Sequence, residues 1–462
     1  MSGRLGTSLA AFALVAAGSG VAPAAVVGAQ EAGRTCNGRP VTIAFDDPGV
    51  GANQINGTSG SDVILGGPSF ELILAGGGDD VVCAGGGNDV IDGGTGRDEL
   101  FGQDGSDIFQ GADLARDRVI GGSRATDVAT YAQVPTGVTV DESTGVVHQT
   151  GAGFNGAILG VERVVGTPFA DVLIGRPGND SLRGGAGDDT LDGRGGSNQL
   201  DGGTGRDTLS YATSTERANV NLGSTLVVRA TTEDEITGFE SVIGSPLADR
   251  LVGTSGANEL EGRGGDDVIK GKGGDDILLG GGADDVLFPG AGDDFVDGGT
   301  NDPVTSSGEH GDLVSYQGDA LDPGVSFLDV GLYFFGPTNQ PPYALGVGDD
   351  ELAGIESVRG VKSGRTHVQG NDGPNVIIGG DTQDFLVGRG GNDLIYGLRG
   401  GDILWGDYAA GSNPSIFGDD YLDGGAPTGA TDADRVHGDG GDDTCTGALD
   451  DGDHMTGCET TF

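Results

Sequence analysis

Residues 75–110 read AGGGDDVVC, AGGGNDVID, GGTGRDELF and GQDGSDIFQ, four lines of nine with one grammar. Glycine dominates the opening places, aspartate stands sixth (Asp80, Asp89, Asp98, Asp107) and an apolar residue eighth (Val82, Ile91, Leu100, Phe109). Carried back to Gly57, the frame adds GTSGSDVIL and GGPSFELIL. It returns from Gly166 for five units, from Gly244 for six and from Gly370 for four, then once more as GDGGDDTCT from Gly438. The four blocks hold 21 units in strict register. Place six is Asp in 17 of them, the exceptions being Glu71, Asn198, Asn258 and Asn375, and place eight is apolar in all 21. A disordered acidic tail would not keep an aliphatic residue at one phase of nine, so the period specifies structure.

Each unit divides into six turn residues and three strand residues. Glycine at places one, two and four allows tight turns, and the x-U-x triplet is a short extended segment with only its middle side chain facing inward. Two units then complete one coil, so residues 18 apart stack on neighbouring rungs roughly 4.8 Å apart. The expected fold class is all-β, a parallel β-roll or β-solenoid built from nonapeptide repeats in several blocks. Its core is thin, one Ile, Leu, Val or Phe per nine residues.

Stacking the aspartates creates an electrostatic problem. Two carboxylates at rung spacing repel by about 3.5 kcal/mol at an effective dielectric near 20. The whole chain of 462 residues carries 71 acidic against 24 basic side chains, a formal net charge of −47. A cation bridging successive turns reverses the sign of the problem. Carboxylates and backbone carbonyls on glycine turns are hard oxygen ligands, which select calcium over transition metals and suit it better than magnesium. The same composition excludes other classes. With 96 glycines and 35% hydrophobic residues a helical bundle is disfavoured. No three-residue glycine period supports collagen, and no basic patch suits nucleic acid or an anionic membrane.

The pattern G-G-x-G-x-D-x-U-x, well formed at Gly93–Phe101, Gly184–Asp192 and Gly202–Ser210, resembles the nonapeptide repeat of the RTX (haemolysin-type) calcium-binding proteins. The resemblance covers the blocks, about half the chain. It implies a parallel β-roll with several Ca2+ ions held between successive turns. Position by position it makes metal ligands of Asp62, Asp80, Asp89, Asp98, Asp107, Asp171, Asp180, Asp189, Asp207, Asp249, Asp267, Asp276, Asp285, Asp294, Asp384, Asp393 and Asp402, with turn carbonyls beside them. The best sites are the nine Asp–Asp pairs 18 apart: 62/80, 80/98, 89/107, 171/189, 189/207, 249/267, 267/285, 276/294 and 384/402. Columns containing Glu71, Asn198, Asn258 or Asn375 are weaker or vacant on this reading.

Outward from the blocks, the first 29 residues read as a secretory signal peptide. Arg4 precedes an apolar run over residues 9–17, and a small-residue cut follows Ala29, with Ala24 as the other position. An uncleaved membrane anchor is the weaker reading, because glycine and proline interrupt the run. The expected organisation is then an N-terminal cap (30–56), block 1 (57–110), a β linker segment (111–165), block 2 (166–210), a second linker (211–243), block 3 (244–299), a linker with an insertion (300–369), block 4 (370–405), and irregular repeats with a C-terminal cap (406–462). Each linker opens on Asp127/Tyr131, Asp207/Tyr211 or Asp312/Tyr316 and closes on a phrase containing Glu162, Glu240 or Glu356. Such recurrence makes one super-repeat in which wider β-coils continue the solenoid. The three glutamates read as structural, and Tyr333-Phe334-Phe335 as core or edge cover.

Four cysteines fit an oxidising compartment. Two near each end suggest the pairs Cys36–Cys83 and Cys445–Cys458, with a metal site as a rival that no C-x-x-C spacing supports. Cys445 falls at the inward eighth place, which suits a last coil closed by a fold-back tail. Both ends resemble those of secreted repeat proteins of Gram-positive bacteria. Many RTX proteins instead leave by a one-step exporter that reads a C-terminal signal.

No H-E-x-x-H and no G-x-S-x-G occurs, and the five histidines match no ligand or triad spacing. The expectation is a secreted or cell-surface, non-enzymatic protein that folds on binding calcium. A scaffold or adhesion role leads, and a carbohydrate-binding or polysaccharide-modifying module is the alternative. Its partners on this reading are calcium and a cell-envelope or extracellular polysaccharide, with no nucleic acid and no transmembrane segment after signal cleavage.

Overall fold

In the computed structural model the described residues are 34–461, apart from 48–52, 123–125, 152, 154, 230, 301–310, 318–326, 333–342, 346–348, 354, 408–418, 426–433, 439–441 and 447–453. The segment 1–29 read as a signal peptide and Tyr333, Phe334 and Phe335 lie outside them. Apart from one 3-10 turn, Leu114–Arg116, every described element is a strand, most of them three residues long. No helix is long and apolar enough to cross a membrane among these residues.

The short strands arise because each x-U-x triplet is extended and each six-residue turn ends it. Consecutive units alternate between two walls. On one wall Val63 lies opposite Val81 and Val81 opposite Glu99; on the other Leu72 lies opposite Val90 and Val90 opposite Ile108, all in parallel register. Two units thus complete a coil, and residues 18 apart stack. The eighth-place side chains meet between the walls. From Ile64 to Leu404 none of the 21 is more than 2% exposed. Together with Tyr131, Tyr211 and Tyr316 they form one continuous core, each aliphatic contributing about 1.5–3 kcal/mol by burial.

The solenoid does continue between the blocks, with a feature the period does not announce. After Arg118–Gly122 the first wall takes in Asn155–Leu159, then Val146–Gln149 running antiparallel, then Val138–Asp141, before Val172–Ile174 resumes the ladder. The third linker repeats this order with Asp349–Ala353, Tyr343–Leu345 and Phe327–Gly331. In the second, Leu226–Val228 and Glu233–Thr237 form the antiparallel pair on the opposite wall. The first and third excursions widen one wall by a strand reversal and rejoin the same ladder, whereas in the second the ladder ends at Leu226–Val228 and a new one starts with Asn219–Asn221 parallel to Arg250–Val252.

Both ends are held by disulfides, Cys36–Cys83 and Cys445–Cys458. The first pins the hairpin of Thr35–Cys36 and Arg39–Pro40 over Val81 on the outer face of a wall. At the other end the tail does not fold back. Thr460–Thr461 runs parallel to Thr444–Thr446 as one more rung, because Cys445 faces the core and holds Cys458 beside it.

Candidate metal centre

The turns place every sixth-position side chain on one of two edges of the roll, buried. Within a column the residues are linked by a recurring bond: the backbone amide of one aspartate donates to Oδ1 of the aspartate one coil ahead. Asp62 donates to Asp80 at 2.7 Å, Asp80 to Asp98 at 2.9 Å and Asp89 to Asp107 at 2.8 Å. The same link joins 171/189, 189/207, 249/267, 267/285, 276/294 and 384/402. All nine pairs inferred from the spacing are therefore neighbours.

This link uses Oδ1 and leaves Oδ2. The Oδ2 atoms of Asp80, Asp89, Asp98, Asp107, Asp189, Asp207, Asp267, Asp276, Asp285 and Asp393 are buried without a hydrogen-bond partner among the described residues. A buried carboxylate oxygen without a donor is costly. Burial accordingly raises the pKa of Asp80, Asp89, Asp189, Asp276 and Asp285 to about 7 and of Asp267 to about 8. The donated amide opposes the rise, and neighbouring carboxylates add to it. In Asp393 burial and then the Asp420 charge bring it to about 9.

The 21 turns fall into two kinds. In eight, the amide of the second residue donates to the sixth side chain of its own turn. Thr58 donates to Asp62, Arg176 to Asp180, Thr254 to Asn258 and Gly380 to Asp384 at 2.6–2.7 Å, and Gly67 to Glu71, Thr167 to Asp171, Ser245 to Asp249 and Asn371 to Asn375 likewise. These closed turns are the first two units of each block, one full coil. In the other thirteen the second residue is left-handed and its amide is turned away from the carboxylate. Six of them hold this backbone without being glycine: Gln103, Arg194, Arg263, Lys272, Arg389 and Leu398, at φ from +58° to +86°. L-residues resist that conformation by roughly 1–2 kcal/mol, and strain of this kind collects at functional positions. The ten Oδ2 atoms named above all belong to open turns.

Each turn gathers oxygens. A Cβ on Gly262 would stand 2.0 Å from Asp267 Oδ2 and 2.6 Å from the carbonyl oxygen of Gly280, one coil ahead; at Gly271 the corresponding distances are 2.3 Å to Asp276 Oδ2 and 2.4 Å to the Pro289 carbonyl. Closed turns share this convergence, with 2.3 Å to Asp171 Oδ2 and 2.3 Å to the Gly184 carbonyl from a Cβ on Gly166. What marks the open turns is the Oδ2 left without a donor beside that carbonyl; a hard divalent cation takes such oxygens. No three Asp, Glu, His or Cys side chains gather into a group among the described residues, so such a site must draw on the backbone for its remaining ligands.

Periodicity alone missed the extensions of these columns. Asp98 donates to Asp117 and Asp107 to Asp127; Asp285 donates to Asp312, Asp393 to Asp420, Asp402 to Asp434 and Asp420 to Asp443. Glu162, Glu240, Glu356 and Glu459 then accept from Asp127, Asp207, Asp312 and Asp443. The recurring linker phrases were the available signal. Two of the exceptional asparagines also find their reason here. Asn258 and Asn375 donate their amide nitrogens to the backbone carbonyls of Glu240 and Glu356, a bond no carboxylate makes.

The model of the RTX calcium-binding nonapeptide repeat (4 copies) matches residues 48–82, 56–91, 84–113, 159–189, 174–209, 243–278, 270–302, 363–407 and 428–452, together just over half of the chain. No curated protein matches the chain. Register, stacked aspartates and family match agree: the chain belongs to the RTX calcium-binding nonapeptide-repeat family.

Proposed function

We propose that this is a secreted, non-enzymatic scaffold whose folding is coupled to calcium outside the cell. The observation that supports it is the row of buried Oδ2 atoms without donors in the open turns. Bound there, Ca2+ supplies the positive charge and oxygen coordination that the carboxylates lack. The chain's own residues do the rest. Place-two residues hold the left-handed turn, the column amides fix each Oδ1, and the eighth-place aliphatics lock the rungs. Without metal, the −47 charge and stacked carboxylates oppose folding at neutral pH, which suits a chain that crosses a membrane unfolded. Disulfides at both ends fit an oxidising exterior. In our reading Asp80, Asp89, Asp98, Asp107, Asp189, Asp207, Asp267, Asp276, Asp285, Asp294, Asp393 and Asp402 carry the strong sites. A rigid rod with charged edges suits adhesion or envelope scaffolding.

A calcium titration of the metal-free chain followed by circular dichroism tests this. Trp405, stacked on His437 at 4.3 Å, serves as a second reporter. The expected result is a cooperative gain of β signal, reversed by chelator and not reproduced by magnesium. A spectrum indifferent to calcium would refute it.

A further inference from the structure

One open turn departs from the rest. Turn 193–198 has the left-handed second residue, Arg194 at φ +58°, but asparagine at place six. Its carbonyls are taken by the protein's own donors on both sides. Asn198 Nδ2 lies 3.1 Å from Gly193 O and 3.2 Å from Gly195 O. Arg229, brought over by the linker hairpin, places Nη1 2.8 Å from Arg194 O and Nη2 2.9 Å from Gly196 O. The same Nη2 is 3.0 Å from Oδ2 of Asp234, whose Oδ1 accepts the amide of Asn198. Tyr211 closes the arrangement, its hydroxyl donating to Asp234 Oδ2 at 3.0 Å and its ring 5.5 Å from the guanidinium carbon. Arg229 is 7% exposed and Asp234 fully buried.

A guanidinium is planar, always charged and weakly hydrated, which fits it to a buried place between carbonyls and a carboxylate. We propose that Arg229 is a built-in cation that takes the place of a metal ion at turn 193–198, with Asn198 supplying the remaining donors. The carbonyls of Gly193, Arg194, Gly195 and Gly196 here each meet an N–H, and Asp234 meets the guanidinium and the Tyr211 hydroxyl. The rung between Asn198 and Asp234 therefore assembles without calcium and excludes it. The column through Asp180, Asn198 and Asp234 thus crosses into the second linker through a metal-independent joint. This inference rests on the calcium reading of the other open turns.

The test counts bound calcium by native mass spectrometry on the full chain, for wild type, N198D and N198D/R229M. The expected result is an unchanged count in N198D, where Arg229 still fills the turn, and one more ion in N198D/R229M. No gain in the double variant, or a gain already in N198D, would overturn the proposal. A wild-type count of zero would sink the calcium reading itself and is distinguishable from both. Should the double variant fail to fold, melting of calcium-loaded R229K and R229M decides. The fork lost in both should lower the midpoint, with lysine recovering part of the loss. Midpoints equal to wild type would overturn the assignment.

Discussion

The backbone amide of Asp312 donates to Oε2 of Glu356 at 3.1 Å across 44 residues. Glu356 in turn donates its own amide to the Asp312 carbonyl. The pairs Asp127–Glu162 and Asp207–Glu240 repeat both bonds at separations of 35 and 33. A glutamate thus ends one column at each linker, on the wall whose strands pair directly across it: Val128–Thr130 with Arg163–Val165, Thr208–Ser210 with Ser241–Ile243, and Leu313–Ser315 with Ser357–Arg359.

Removing that acceptor leaves a buried amide unmet. Glu356→Ala should cost about 1–3 kcal/mol in chemical denaturation, and Glu356→Gln, which keeps an acceptor oxygen, should lie close to wild type. Equal losses in the two variants would show that the bond is not what matters there.

Protons and calcium should compete. The carboxyls of Asp80, Asp189 and Asp285 are raised to about 7 in the fold, chiefly by burial, and that of Asp267 to about 8; in the unfolded chain they sit near 3.9. A group raised in the fold contributes stability that is complete below about pH 4 and lost as pH climbs through 7 to 8. Metal-free protein should therefore hold more β structure at pH 5 than at pH 8, read by circular dichroism. Calcium should narrow the gap and release protons on binding, measurable by calorimetry in buffers of different ionisation enthalpy. A metal-free β signal that rises with pH would contradict this.

Substituting one open-turn aspartate should act in opposite directions with and without metal. Asp267→Asn removes a buried carboxylate, so at pH 8 the metal-free chain should hold slightly more β structure. In excess calcium it should lose up to about 2.7 kcal/mol, the linkage expected of one ligand at a hundredfold its Kd. Circular dichroism without metal and melting in excess calcium check the crossing.

Closed turns should be insensitive to calcium. Thr167 donates its amide and hydroxyl to Asp171. Thr167→Val should cost about 1 kcal/mol in unfolding, by the same amount with calcium or without. A loss that appears only in calcium would place a metal at Asp171.

Much of this was written in the sequence. A strict nine-residue period sets the phase of Leu278 and Asp276 in every turn, and two such units per coil oblige residues 18 apart to stack. The two walls, the aliphatic core and the nine carboxylate pairs follow from local repetition alone. Other features depend on where the chain returns after a variable detour. The Asn198–Asp234 link spans 36 residues and the Arg229 bond to the Arg194 carbonyl spans 35. Loop lengths and an antiparallel hairpin set those meetings, and no period encodes them. The division into closed and open turns was also hidden, because it rests on backbone sign: Gly67 and Gly380 close their turns, whereas Arg263 and Lys272 hold theirs open. Composition allows glycine either sign. Only the stacked neighbour above and below decides which one each turn adopts.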